Sequence, residues 1–312
     1  MTVAWLFPGQ GTQFVGMGKA LYAESAAARE VFQRADDALG FSIRHLCFEG
    51  PEAELGLTKH TQPAIVTASI AALEALREHF PGLPPPALAA GHSLGEYSAL
   101  VAAGALSLED AVRLVHLRGT AMQDAVPAGE GAMAAILGGD EAAVRELCEV
   151  ASGAGSVTPA NFNAPGQIVI AGTSAGVARA RELAAERKLK AIPLNVSAPF
   201  HCSLMQPAAK AVEQALRDIA VQPLAFPVIS NVEARPNHQA SAVAQLLVRQ
   251  IDGPVLWEHS VRKMRELGVE LALEIGPKNV LSGLARKIDK ALKVLSVFEP
   301  DSLTRAANAL RS

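Results

Sequence analysis

Short apolar runs alternate with longer amphipathic stretches along most of this chain, as strands and helices taken in turn would produce. Thr2–Phe7 is an apolar run stopped by Pro8-Gly9, which predicts a buried strand followed by a glycine-rich turn. Helical spacing follows at about 18–39 and 63–80, and Pro81–Pro86, with four prolines and one glycine, reads as a connector. Ala87–Ala90 predicts a second short buried strand, followed by Gly91-His92-Ser93-Leu94-Gly95 and a helix through Ala103. Ser107–Gln123 predicts another helix, with Ser107 as its N-cap.

The middle of the chain changes character. Ala132–Leu137, Val157–Asn161, Gln167–Ala171 and Ala191–Val196 predict strands, with helices at 140–151 and 174–188 between them. That order, β-α-β-β-α-β, is the ferredoxin-like pattern. Val144, Leu147 and Cys148 make an apolar stripe on the first of those helices, as packing on a sheet requires. After Pro199 the α/β alternation resumes, with strands predicted at Phe226–Ser230 and Glu270–Ile275. The expected architecture is an α/β domain over 1–127 and 198–312 with a small ferredoxin-like domain inserted at 128–197.

Composition narrows this picture. With 312 residues and half of them hydrophobic, the chain is long enough for a sizeable core, and its positive mean hydropathy suits a sheet covered on both faces. A net charge of −3 gives no reason to expect binding to nucleic acid or a membrane surface. No apolar stretch reaches the roughly 18 residues of a spanning helix, and the N-terminus lacks a basic leader. Cys47, Cys148 and Cys202 are scattered, without metal-ligand spacing, and favour a reducing, cytoplasmic setting.

Two features carry candidate chemistry. Gly91-His92-Ser93-Leu94-Gly95 fits G-x-S-x-G between a predicted strand and a predicted helix, the context of a nucleophile elbow; a plain glycine-serine turn is the alternative. Among eight histidines, His79 and His116 lie in charged helical patterns and are expected to be solvated, and His92 should diverge from its neighbour at the elbow. His201, in a loop after Pro199-Phe200, is the favoured base, with a structural role equally open. The second feature is Arg118, which shares one helical stripe with Ala111, Val115 and Met122, whereas Arg113 faces the opposite, solvent side. A buried guanidinium needs a partner, either a buried acid or the carboxylate of a ligand.

These residues spell out a family. Phe7-Pro8-Gly9-Gln10-Gly11-Thr12-Gln13, Gln62-Pro63-Ala64, Gly91–Leu100, Asn161–Gln167, Pro199-Phe200-His201-Cys202 and Leu247-Val248-Arg249-Gln250 occur in an order that resembles the malonyl-CoA:acyl carrier protein transacylases. The resemblance runs from the first strand past Gly276-Pro277, and Thr12, where serine is common, is a minor departure. It implies an α/β-hydrolase-like large domain and an acyltransferase with Ser93 acylated and His201 as base, oriented by a main-chain carbonyl near Gln250. It further implies an oxyanion hole from the Gln10 and Leu94 N–H groups and a substrate carboxylate on Arg118. Asn161, Phe200 and Gln250 become substrate-contacting positions, and the Phe200 ring should crowd an α-methyl branch. The implied substrates are malonyl-CoA and an acyl carrier protein, with no bound cofactor, in fatty acid synthesis; a monomer is expected because no long amphipathic stretch is left unexplained. Polyketide or malonate-decarboxylase service, a thioesterase-like hydrolase and an inactive docking subunit are the rival readings. Carrier proteins are generally acidic, so Arg286-Lys287 or Arg187-Lys188 are candidate docking pairs.

Overall fold

A computed structural model describes residues 1–311 and contains two sheets. The strands are β1 (Val3–Phe7), β2 (Leu88–Gly91), β3 (Gly131–Leu137), β4 (Val157–Ala164), β5 (Gln167–Thr173), β6 (Lys190–Pro193), β7 (Val228–Ile229), β8 (Pro236–Asn237), β9 (Leu271–Ile275) and β10 (Lys293–Val297). The larger sheet has the order β10-β9-β1-β2-β7-β8, parallel except for β8. β1, β2 and β9 are almost wholly buried because helices cover both faces, which explains their continuous apolar runs. Helix Thr58–His79 runs through one core, sixteen of its residues buried, while Trp257 and Val261 pack beneath the opposite face of the sheet.

The smaller sheet has the order β4-β5-β3-β6, antiparallel throughout, with helices Glu141–Ala151 and Ser174–Glu186 packed around their own core with it. The chain's departure into this sheet and its return touch each other: a Cβ on Gly131 would lie 2.4 Å from the Pro199 ring. Residues 161–162 also bridge to Val255, which fastens β4 to the larger unit.

Several boundaries differ from the sequence reading, for identifiable reasons. The helix expected at 18–39 is two, Lys19–Glu24 and Ala26–Leu39, because extended Ser25 caps the second through its hydroxyl. The helix expected to open at Pro63 opens at Thr58, with Pro63 inside it. Proline there cannot donate to the Lys59 carbonyl, and His116 supplies the missing bond through Nδ1 at 2.8 Å. His116 is therefore half-buried and bonded rather than solvated, while His79 is exposed as expected. β6 stops at Pro193, leaving 194–197 as a loop over the site, and β7 keeps only two residues. No helix among the described residues is long and apolar enough to cross a membrane.

Candidate active site

Ser93 lies between the end of β2 and helix Gly95–Ala102, with φ at 48°. That left-handed backbone costs a non-glycine residue roughly 1–3 kcal/mol, and such strain persists only where surrounding bonds over-determine it. The flanking glycines are sterically required. A Cβ on Gly91 would sit 1.9 Å from the Gly95 carbonyl carbon, and one on Gly95 would sit 2.0 Å from the Phe7 carbonyl oxygen. The elbow is also pinned by hydrogen bonds: Asn231 Oδ1 accepts the Ser93 N–H at 2.6 Å, and Gln250 Nε2 donates to the Ser93 carbonyl at 2.9 Å.

Ser93 Oγ lies 2.8 Å from His201 Nε2, although the two are 108 residues apart in sequence. His201 is buried and also has a positive φ, 62°. Its Nδ1 lies 2.8 Å from the Gln250 carbonyl oxygen. A carbonyl can only accept, so Nδ1 carries the proton and Nε2 offers a lone pair to the serine hydroxyl. Burial, reinforced by the Arg118 cation, pulls the His201 pKa down to about 3, so the ring is neutral near pH 7. A serine hydroxyl bonded to an oriented, neutral imidazole is the geometry of nucleophilic acyl chemistry.

Arg118 projects from helix Leu108–Asp124 into the same cleft and is 2 % exposed. Its Nη1 donates to Gln62 Oε1 at 2.8 Å, and its Nη2 to Gln250 Oε1 at 3.0 Å and to Ser93 Oγ at 3.1 Å. The Tyr97 ring lies beneath the guanidinium at 5.3 Å, and the buried Nε donor has no partner. Among the described residues no carboxylate comes within ion-pair distance of this arginine; the buried acid Glu96 acts on it only from farther off and through Gln250, so the fork has no direct carboxylate partner. Arg113, on the same helix, is exposed and pairs with Asp110 at 3.6 Å.

The cleft itself has a volume of about 340 Å³ and lies between the two sheets. Gln10, Ser93, Arg118 and His201 line one side; Asn161, Met133 and Val169 line the other, with Phe200 at the junction. The Gln10 and Leu94 N–H groups donate to no protein acceptor among the described residues, which leaves them available to a developing oxyanion. A Cβ on Gly9 would stand 2.4 Å from the His92 carbonyl oxygen, and that close approach brings the β1 turn beside the elbow. Leu94 itself is buried, and Gln250 lies fully buried behind Ser93 rather than along the cleft wall. His92 turns away, its Nε2 bonded to Asn163 Oδ1 at 2.7 Å.

Sequence reasoning missed Asn231, which holds the elbow from below, and gave Gln62 no task. Asn231 follows a two-residue strand that offers little periodicity, so nothing nearby marks it. Gln62 sits next to a proline in a helix whose residues are nearly all buried, and a buried amide there was the available signal. Among the described residues no cluster of three metal-ligating side chains occurs.

The chain is similar to known proteins over nearly its whole length. Residues 4–299 match the acyl transferase domain family. The malonyl CoA-acyl carrier protein transacylase of Bacillus subtilis (strain 168) is 48% identical over 311 residues, covering 99% of this chain and 97% of that protein. Its Escherichia coli (strain K12) counterpart is 44% identical over 304 residues, covering 97% and 98%. The acyl-carrier-protein S-malonyltransferase of Burkholderia pseudomallei 1710b superposes with a TM-score of 0.95 at 47% identity, covering 99% of this chain and 100% of that one. A malonyl-transacylase solved in complex with its type II polyketide acyl-carrier protein superposes with a TM-score of 0.95 at 42% identity, covering 99% and 100%. This chain belongs to the malonyl CoA-acyl carrier protein transacylase family of acyl transferases.

Proposed function

We propose that this protein carries malonyl groups from malonyl-CoA to the phosphopantetheine thiol of an acyl carrier protein through a malonyl-Ser93 intermediate. The observation that carries this reading is Arg118: a buried cation with no carboxylate at ion-pair distance, bonded to the hydroxyl that would be acylated. A malonyl thioester brings the missing anion, and a carboxylate in the guanidinium fork sets its carbonyl carbon beside Ser93 Oγ. An acetyl group brings no such anion.

In the first half-reaction the Ser93 proton passes to His201 Nε2 as Oγ bonds to the thioester carbon. The Gln10 and Leu94 N–H groups receive the oxyanion, and the imidazolium returns its proton to the departing coenzyme A sulfur. In the second half the carrier thiol gives its proton to His201, attacks the ester, and Ser93 Oγ leaves reprotonated. Both halves exchange one acyl bond for another, and neither requires a cofactor. Malonyl carboxylate on Arg118 also offsets the cation that depresses His201, so substrate binding strengthens the base. The Phe200 ring, on the cleft wall beside His201, restricts branching at the malonyl α-carbon.

The enzyme is read as a monomer of the cytoplasm in fatty acid synthesis. For carrier docking, Arg286-Lys287 suits better than Arg187-Lys188, because Arg187 is engaged by Glu146 at 2.8 Å. Lys287 reaches Gln167 at the turn between β4 and β5, a position that spans both sheets. Initial rates measured with malonyl-CoA and holo-acyl carrier protein varied together test the reading. Parallel double-reciprocal lines with malonyl-carrier as product are expected, whereas malonate release undiminished by carrier would indicate a hydrolase.

A further inference from the structure

One buried acid has no part in the chemistry above, yet Ser93, His201 and Arg118 are each bonded to a residue it holds. Glu96 lies in the first turn of helix Gly95–Ala102 and is 3 % exposed. Its Oε2 accepts from Gln250 Nε2 at 2.7 Å and from the Asn231 backbone N–H at 3.1 Å. Those two residues grip the Ser93 peptide from opposite ends, Asn231 at its N–H and Gln250 at its carbonyl. Asn231 Nδ2 also holds the Gly91 carbonyl at 2.7 Å, which fixes the strand end of the same turn. Gln250 in addition bonds Arg118 through Oε1 and His201 through its main-chain carbonyl.

We propose that Glu96 is a positioning residue for acyl transfer, its carboxylate locking the Asn231 and Gln250 amides onto the Ser93 elbow. The strained φ of Ser93 must be imposed by its surroundings, and three hydrogen bonds tie Gly91 and Ser93 to Asn231 and Gln250, each of which donates one further bond to this one oxygen. Without Glu96, Gln250 Nε2 loses one of its two acceptors, and the buried Asn231 N–H is left without one. The amide plane of Gln250 is then free to rotate. Rotation would release the Ser93 carbonyl and shift the Arg118 fork together, so the hydroxyl would no longer point along the His201 lone pair.

The clamp depends on an acceptor oxygen at the Oε2 position more than on charge. Burial raises the Glu96 pKa to about 7 against the opposing pull of Gln250, Asn231 and Arg118, and the protonated acid can still accept both bonds with its proton on Oε1. A glutamine amide oxygen can do the same, whereas aspartate is one methylene too short to reach both donors.

This inference rests on Ser93 being the acylated residue. The test is single-turnover acylation of the full chain by malonyl-CoA, comparing wild type with Glu96→Ala, Glu96→Asp and Glu96→Gln. Misplacing a nucleophile by about 1 Å costs on the order of 10²-fold. The Ala and Asp variants should therefore acylate roughly 100-fold more slowly at saturation, with the half-saturating malonyl-CoA concentration within about threefold of wild type. Glu96→Gln should recover most of the Glu96→Ala loss, to within about tenfold of wild type. Should Glu96→Ala fail to fold, the Asp and Gln pair carries the comparison with smaller changes of volume. Wild-type rates in the Ala or Asp variant would overturn the proposal. So would a Glu96→Gln rate as low as that of Glu96→Ala or Glu96→Asp, or a loss confined to half-saturation. Absence of any adduct on wild-type Ser93 would instead overturn the malonyl-transfer reading itself.

Discussion

On one side of the cleft, the parallel sheet and its helices present Ser93, His201 and Arg118, each held by two or more hydrogen bonds and two of them on left-handed backbone. On the other, the antiparallel sheet presents Met133 and Val169 from regular strands and Asn161 beside a register shift in β4, with none of the groups that would exchange a proton or form a bond. The first wall combines strain with redundant bonding, as a reacting constellation needs; the second supplies surface against which an acyl chain and its pantetheine arm can lie. The contrast separates two ways a substitution can act. Changes on the first wall should lower the rate of acyl transfer, and changes on the second should alter how well substrate is held.

His201 tests the first wall most severely. His201→Gln removes the proposed base while keeping a polar side chain, and transfer is expected to fall about 10²–10⁴-fold with half-saturation little changed. The same variant has a signature in stability. The native pKa of about 3 lies below the ordinary 6.5, so below about pH 6.5 the unfolded chain binds a proton that the folded chain refuses. Stability tied to this ring is whole above pH 6.5 and is lost as the pH falls toward 3, so melting curves between pH 7 and pH 4 should decline less steeply for His201→Gln than for wild type. Parallel declines would mean that the ring is not held neutral.

Arg118 comes next in size. Arg118→Ala should lower malonyl transfer by about 10–100-fold, the worth of a charge-assisted pair, while acetyl transfer falls much less, so that relative acetyl use rises. Equal losses with both acyl groups would assign the arginine to holding Ser93 rather than to selecting substrate. Asn161→Ala, on the opposite wall, should raise half-saturation for malonyl-CoA by roughly three- to tenfold and leave the maximal rate within about threefold. A collapse of the maximal rate there would erase the distinction between the two walls.

Much of this organisation was legible in the sequence, and the exceptions have physical causes. The elbow is a contiguous motif, Gly-x-Ser-x-Gly between a strand and a helix, so Gly91–Gly95 could be read directly, although the contact that demands Gly95 is with remote Phe7. The β-α-β-β-α-β order was visible because β3 and β5 carry clear apolar runs and the two helices between the strands are amphipathic, although β4 and β6 are less apolar. His201 and Arg118 could be singled out but not joined to Ser93 without the family resemblance, because their meeting is a product of chain crossings over 108 and 25 residues. Asn231 and Glu96 were missed as parts of the site: their partners are remote, and nothing local distinguishes a clamp from an ordinary polar residue. β10 was missed because it is an edge strand, mostly half-exposed, without a continuous apolar run.

Intact-protein mass spectrometry after mixing with malonyl-CoA, with peptide mapping and a chase by holo-acyl carrier protein, tests the central claim most directly. The account predicts one malonyl adduct on Ser93, absent from Ser93→Ala, that moves to the carrier when it is added. An adduct on another residue, or one that forms on Ser93 and passes to water but never to the carrier, would contradict it.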